Sequence, residues 1–179
     1  MELKWNFNVN GGPMLFPDAY EEFLAFLPED ERADHVANYH QRLMSDDTSI
    51  SHPAATAWNK YEISMSTLYP NVSGLESLND AAYLLAHARM EAHYFNNKAW
   101  LEEGQLLKKE NIDRIRHIPC AIVQGRYDVV CPPVTAWALH RAWPETHLHW
   151  IADAGHSATE PGTKRKLVEV CEGFAGLEV

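Results

Sequence analysis

Up to about residue 117 the apolar positions of this chain recur mostly at helical spacing. Tyr20, Phe23, Leu24 and Leu27 share one face of a 3.6-residue period and predict an amphipathic helix over 19–27, with Asp18 as its N-cap. Pro28-Glu29-Asp30-Glu31 opens a second helix reaching about Met44, its acids lying in the first turn where the helix dipole favours them, and Ser45-Asp46-Asp47-Thr48 closes it. Trp58, Tyr61, Met65 and Leu68 form one stripe of a third helix over 53–68, stopped by Pro70. After a polar connection over 71–77, Asp80 caps a fourth helix over 81–94, and 98–111 reads as irregular or short helix. The first residues differ: Leu3, Trp5, Phe7 and Val9 alternate with polar residues, which predicts a short extended piece before a turn at Asn10-Gly11-Gly12-Pro13.

At Ile118 the period changes. An apolar run over 119–123 predicts a strand buried on both faces, breaking at Gly125 into a polar loop that carries Asp128. A helix over 134–143 follows, then a strand over 147–152, a loop with Gly155 and His156, and a helix over 163–174. Strand, helix, strand, helix is the order of a parallel sheet, so the expected fold class is α/β beneath a helical first part. Loops that follow the C-terminal ends of parallel strands gather at one crevice, so Asp128 and His156 can meet there. A carboxylate beside an imidazole fixes its tautomer and stabilises its protonated form, which is the base half of a hydrolase triad. Two strands leave sheet edges and faces needing cover, and an uncovered strand at Ile118 would favour self-association.

Composition narrows the partners. With 25 acidic against 15 basic side chains the net charge is −10, which disfavours a nucleic-acid surface and suits a cationic or neutral ligand. No apolar run approaches the roughly 20 residues that span a bilayer, and Met1-Glu2-Leu3-Lys4 does not open a signal peptide, so no membrane partner and a cytoplasmic address are expected. Cys120, Cys131 and Cys171 are odd in number and lack metal-like spacing, and the histidines, including His35, His87, His93 and His140, are scattered. No metal or other cofactor is therefore expected.

A set of short motifs runs in order through almost the whole chain. It comprises Phe16-Pro17-Asp18, Glu31-Arg32, Gln41-Arg42-Leu43, Ala57-Trp58 with Glu62, and the run Ala88-Arg89-Met90-Glu91-Ala92-His93-Tyr94-Phe95. It continues with Ile118-Pro119, Gly125-Arg126-Tyr127-Asp128, Cys131, Ala142-Trp143-Pro144-Glu145, and Ala154-Gly155-His156-Ser157 with Glu160-Pro161-Gly162. Together these resemble the proline iminopeptidases, or prolyl aminopeptidases, serine peptidases of the α/β-hydrolase fold. The resemblance implies a lead-in segment over 1–17, an α-helical cap over 18–111 and the C-terminal part of a hydrolase domain over 112–179.

Carried onto this sequence, the resemblance makes Asp128 the triad acid and His156 the triad base. It makes Glu62 and Glu91 the ligands of the substrate's amine, and Phe95, with Phe7 near a second aromatic position, the wall for the proline ring. The chemistry is consistent, since a prolyl N-terminus is a cation joined to a small apolar ring. Tyr61 stands where the family usually has tryptophan. The family's nucleophile lies on a Gly-x-Ser-x-Gly elbow, and no serine here stands in such a motif. Gly11-Gly12-Pro13 follows no buried strand and is given no oxyanion role. The expectation is a fragment or an N-terminally truncated product, with Met1 an internal or alternative start. It would be inactive alone and belong to an enzyme that releases N-terminal proline from peptides. Its expected partners are such a peptide and either the missing N-terminal half or a second copy of the chain. Two other readings stay open: another α/β hydrolase, such as an esterase or amidase, and a non-catalytic module derived from a hydrolase.

Overall fold

The computed structural model describes residues 2–8, 10–70 and 80–176, with side chains from residue 5 onward. The expected polar connection over 71–77 and Val9 of the expected extended piece lie outside the described residues. The chain divides into two compact units, a helical one over 3–65 and 69–101 and a sheet-bearing one over 1–2, 66–68 and 102–179.

In the helical unit the first residues form a helix, α1 (Glu2–Phe7), instead of the extended piece. So short an alternation does not by itself exclude a helix, and tertiary hydrogen bonds decide between the two. Tyr61 donates its hydroxyl to the Asn6 carbonyl at 2.7 Å and Tyr20 donates to that of Phe7 at 3.2 Å, satisfying carbonyls that a helix end leaves open. Gly11 then lets the chain fold back on itself, because a Cβ there would lie 2.0 Å from the Trp5 carbonyl oxygen.

A short helix α2 (Gly12–Leu15) leads into α3 (Pro17–Ala25). Pro17 takes the first helical position, so Asp18 sits in the first turn rather than at the N-cap. The single helix expected over 28–44 is two elements, a 3₁₀ segment Glu29–Asp34 and α4 (His35–Leu43). The junction is held from the side: Asn38 donates to the carbonyls of Glu31 and Asp34, both at 3.0 Å. The helix expected from Pro53 begins five residues earlier, as α5 (Thr48–Met65), with Pro53 inside it. Asp47 provides the start, its side chain accepting from the Ser49 amide at 2.9 Å and its carbonyl from the amides of Ile50 and Ser51. Next, α6 (Ala81–Asn96) is capped as expected, Asp80 accepting from the Tyr83 amide at 3.0 Å.

The core of this unit is aromatic. Phe23 and Tyr39 stack with ring centroids 4.4 Å apart, Trp58, Tyr39 and Leu43 are fully buried, and α5 packs against α3, α4 and α6. The buried tyrosine hydroxyls of this core find partners; that of Tyr39 donates to the Phe23 carbonyl at 2.7 Å.

The sheet-bearing unit begins with a 3₁₀ turn Gln105–Leu107 and α7 (Lys109–Ile115). It continues as β1 (Ala121–Gly125), α8 (Pro133–Ala142), β2 (His147–Ile151) and α9 (Pro161–Ala175). The strands pair in parallel, from Ala121 opposite His147 to Gly125 opposite Ile151, which is the expected βαβα order. β1 departs from expectation in burial: Ala121, Ile122 and Val123 are half-buried and only Gln124 and Gly125 are buried. Full burial of a parallel strand needs sheet neighbours on both sides, and among the described residues β2 is its one partner.

Phe23→Ala removes the ring at the centre of the aromatic core, where Phe23 is 2% exposed, and should destabilise the helical unit by about 3–5 kcal/mol. Denaturant unfolding followed through tryptophan fluorescence measures this.

Candidate active site

The ends of β1 and β2 are joined beyond the strands themselves. Arg126 donates its amide to the Ile151 carbonyl at 2.8 Å and Tyr127 donates to that of Ala154 at 3.0 Å. Gly125 permits this approach, since a Cβ there would stand 1.9 Å from the Gly155 carbonyl oxygen. The two loops thus leave the sheet together, and Asp128 and His156 come within reach of each other. His156 Nδ1 lies 3.1 Å from Asp128 Oδ2.

Asp128 is 8% exposed and its carboxylate accepts from three donors. The Cys131 amide donates to Oδ1 at 2.7 Å, while the Gln124 side-chain amide, at 3.2 Å, and His156 share Oδ2. A buried carboxylate needs such partners, and three of them hold it in one orientation. Because Nδ1 donates to Asp128, Nε2 is the ring nitrogen left to accept a proton. Hydrogen bonding to Asp128, and then to the Cys131 side chain, pushes the His156 pKa up to about 10, against the opposing effect of burial. The imidazole is also partly open, its side chain 38% exposed, so solvent screens part of the pair's attraction.

The loop behind His156 has its own anchor. Glu160, 8% exposed, accepts from the Gly155 amide at 2.8 Å and from the Leu68 amide at 3.0 Å. The Ser66 carbonyl accepts from the amides of both His156 and Ser157, at 3.1 and 2.8 Å. Ser157 turns to Thr159, their hydroxyls 2.8 Å apart. Gln124 and Glu160 are positioning residues that sequence reasoning missed in that capacity. Glu160 carried a usable signal, an acid directly before Pro161 at a helix start, whereas nothing local marks Gln124.

In the helical unit a second group of side chains converges. Trp58 donates its indole N–H to Glu91 Oε2 at 3.0 Å. This accounts for an acid on α6 that the helix dipole does not favour, and α6 runs on to Asn96, so Glu91 lies before the last turn. His87, one turn earlier on α6, has Nε2 at 3.6 Å from Glu91 Oε1 and Nδ1 at 3.7 Å from Glu62 Oε2. Phe7 and Phe95 lie beside this group, their rings 5.8 Å apart and each against Trp58, at 5.2 and 6.1 Å. The sequence-predicted residues Glu62, Glu91, Phe7 and Phe95 therefore share one neighbourhood. By sequence alone His87 reads as one of the scattered histidines; its i,i+4 relation to Glu91 on a helix is the signal that draws it in.

The chain is 46% identical over 177 residues to a proline iminopeptidase of Arabidopsis thaliana, an alignment covering 98% of the chain and 46% of that protein. It is 44% identical to a probable proline iminopeptidase of Leptolyngbya boryana and 45% identical to a proline iminopeptidase of Xanthomonas citri, each over 97% of the chain and 53% and 55% of the relative. In sequence the chain is a relative of the proline iminopeptidases. It spans about half the length of the curated proline iminopeptidases it matches. No protein-family profile matches the chain. Among the described residues, no helix is long and apolar enough to cross a membrane.

Two outcomes test this geometry. The His156 pKa in the folded chain is raised above the ordinary 6.5, so the pair's stabilisation is fully present below about pH 6.5 and is lost as pH rises through about 10. The thermal midpoint should fall over that window, and His156→Gln should flatten the fall. Glu160→Ala strips the acceptor from two amides and should cost at least about 1–3 kcal/mol in unfolding free energy, with faster hydrogen exchange at Gly155.

Proposed function

We propose that the chain is the cap and the C-terminal hydrolase portion of a serine-type proline iminopeptidase of the α/β-hydrolase fold, acting on peptides with an N-terminal proline. Residues 18–111 supply the cap and 112–179 the last strand-helix units. The observation that carries this reading is the Asp128–His156 pair, a buried, fully hydrogen-bonded carboxylate holding one imidazole tautomer on the loops that leave two parallel strands. That arrangement orients an imidazole as the base of a hydrolase triad is oriented.

In the proposed reaction a serine from a segment outside this sequence loses its proton to His156 Nε2 as its oxygen attacks the prolyl carbonyl. Asp128 stabilises the imidazolium that forms. His156 then returns the proton to the leaving amine, and water resolves the acyl-enzyme by the same base. Glu62 and Glu91 pair with the prolyl ammonium, which admits a substrate with a free N-terminus and sets cleavage after one residue. Phe95 and Phe7 supply the apolar contact for the ring.

The test is hydrolysis of a chromogenic proline amide by this chain alone and by the chain combined with the upstream segment of a proline iminopeptidase carrying its serine elbow. Activity is expected only in the combination, and His156→Ala should lower it by roughly 10⁴- to 10⁶-fold. A demonstrated complex without turnover would overturn the reading in favour of a hydrolase-derived binding module. In the active combination, Glu62→Gln or Glu91→Gln should lower kcat/KM by roughly 10- to 100-fold, mainly through KM, the loss of a charge-assisted hydrogen bond to the amine.

A further inference from the structure

The structure assigns a second capacity to the helical unit: Glu62, His87 and Glu91 form a binding site for a divalent transition-metal ion of the zinc class. One ligand atom from each of the three lies within 4.8 Å of the others. Bonds of about 2.0–2.2 Å in a tetrahedral set place ligand atoms about 3.3 Å apart. The 3.6 Å separation of His87 Nε2 from Glu91 Oε1 is already near that spacing and longer than a hydrogen bond, while Glu62 Oε2, 3.7 Å from Nδ1, closes on Nε2 when the ion binds. A site of this kind leaves a fourth position for water, and the three side chains, between 13% and 31% exposed, are open enough for an ion to enter.

Orientation of the ligands is the stronger argument. His87 Nδ1 lies 2.8 Å from Asn59 Oδ1. The Asn59 amide cannot turn over, because its nitrogen donates to the carbonyls of Ala55 at 2.7 Å and Leu84 at 3.0 Å, and the residue is 2% exposed. Asn59 therefore presents its oxygen, His87 donates from Nδ1, and Nε2 is the ring nitrogen that faces Glu91 and is offered to an ion. A second-shell acceptor that fixes the tautomer in this way is the usual companion of a metal-binding histidine. Glu91 is fixed likewise, since Trp58 holds Oε2 and leaves Oε1 toward His87. An imidazole nitrogen with two carboxylate oxygens is a borderline ligand set, suited to zinc, copper or nickel and poorly suited to calcium or magnesium, which take oxygen.

The site uses the two carboxylates that the peptidase reading gives to the substrate amine. It stands on Asn59 and His87, which that reading leaves without a role, and its test needs no turnover. Zinc chloride is titrated calorimetrically into the full chain at neutral pH with a non-thiol reductant. One ion per chain is expected at this site, with Kd raised at least about tenfold by His87→Gln and by Glu62→Gln and unchanged by Cys131→Ser. Equal zinc affinity in the His87→Gln chain, loss of binding in Cys131→Ser, or calcium bound as tightly as zinc would overturn the assignment. Should the variants fail to fold, nitrogen NMR of the parent chain decides: zinc shifts the His87 Nε2 resonance if the site exists and leaves it in place if it does not.

Discussion

The parallel pairing of β1 with β2 is the constraint on which the sheet-bearing unit depends. With Gly125 opposite Ile151, the two strands end level, and the amides of Arg126 and Tyr127 carry the hydrogen bonding past the ladder into the β2 loop. Only glycine at 125 tolerates the resulting approach of the Gly155 carbonyl. A slip of the register would part Asp128 from His156 and leave a buried carboxylate short of a donor, a costly arrangement that the observed pairing avoids. The site and the register therefore support each other.

The helical unit solves a related problem with different materials. Its core is built from large rings, several of which carry a polar tip, and each tip is used to tie one segment to another: Tyr61 to Asn6, Tyr39 to Phe23, Trp58 to Glu91. The aromatic core thereby sets the orientation of groups at its margin. Trp58 is wholly buried, yet its indole N–H decides which oxygen of Glu91 faces His87. In a chain of net charge −10, a pair of carboxylates held this close favours a cation over an anion beside them.

Most of the element order was legible without coordinates. The change of period at Ile118, the parallel βα succession, the Asp80 cap and the apolar stripe of Trp58, Tyr61 and Met65 each depend on residues a few positions apart. Asp128 and His156 stood out for the same reason, as polar residues in loops directly after apolar runs. Local rules failed where distant groups outvoted them. The alternation of residues 3–9 suited a strand, and two tyrosines reaching in from α3 and α5 made it a helix end. Pro53 read as a helix start, and the Asp47 cap started the helix ahead of it.

By itself, then, the sequence determined the periodic elements and the chemistry available at their ends, because propensity, capping and amphipathic period are properties of neighbours along the chain. The tertiary structure alone decided which groups meet: Gln124 and Cys131 on Asp128, Glu160 under the His156 loop, Asn59 behind His87 and Trp58 on Glu91. Two of those contacts, Trp58 to Glu91 and Asn59 to His87, join residues 33 and 28 positions apart, and Glu160 also accepts from Leu68, 92 positions away. They are set by packing and by the need to satisfy buried polar groups, which no local pattern encodes.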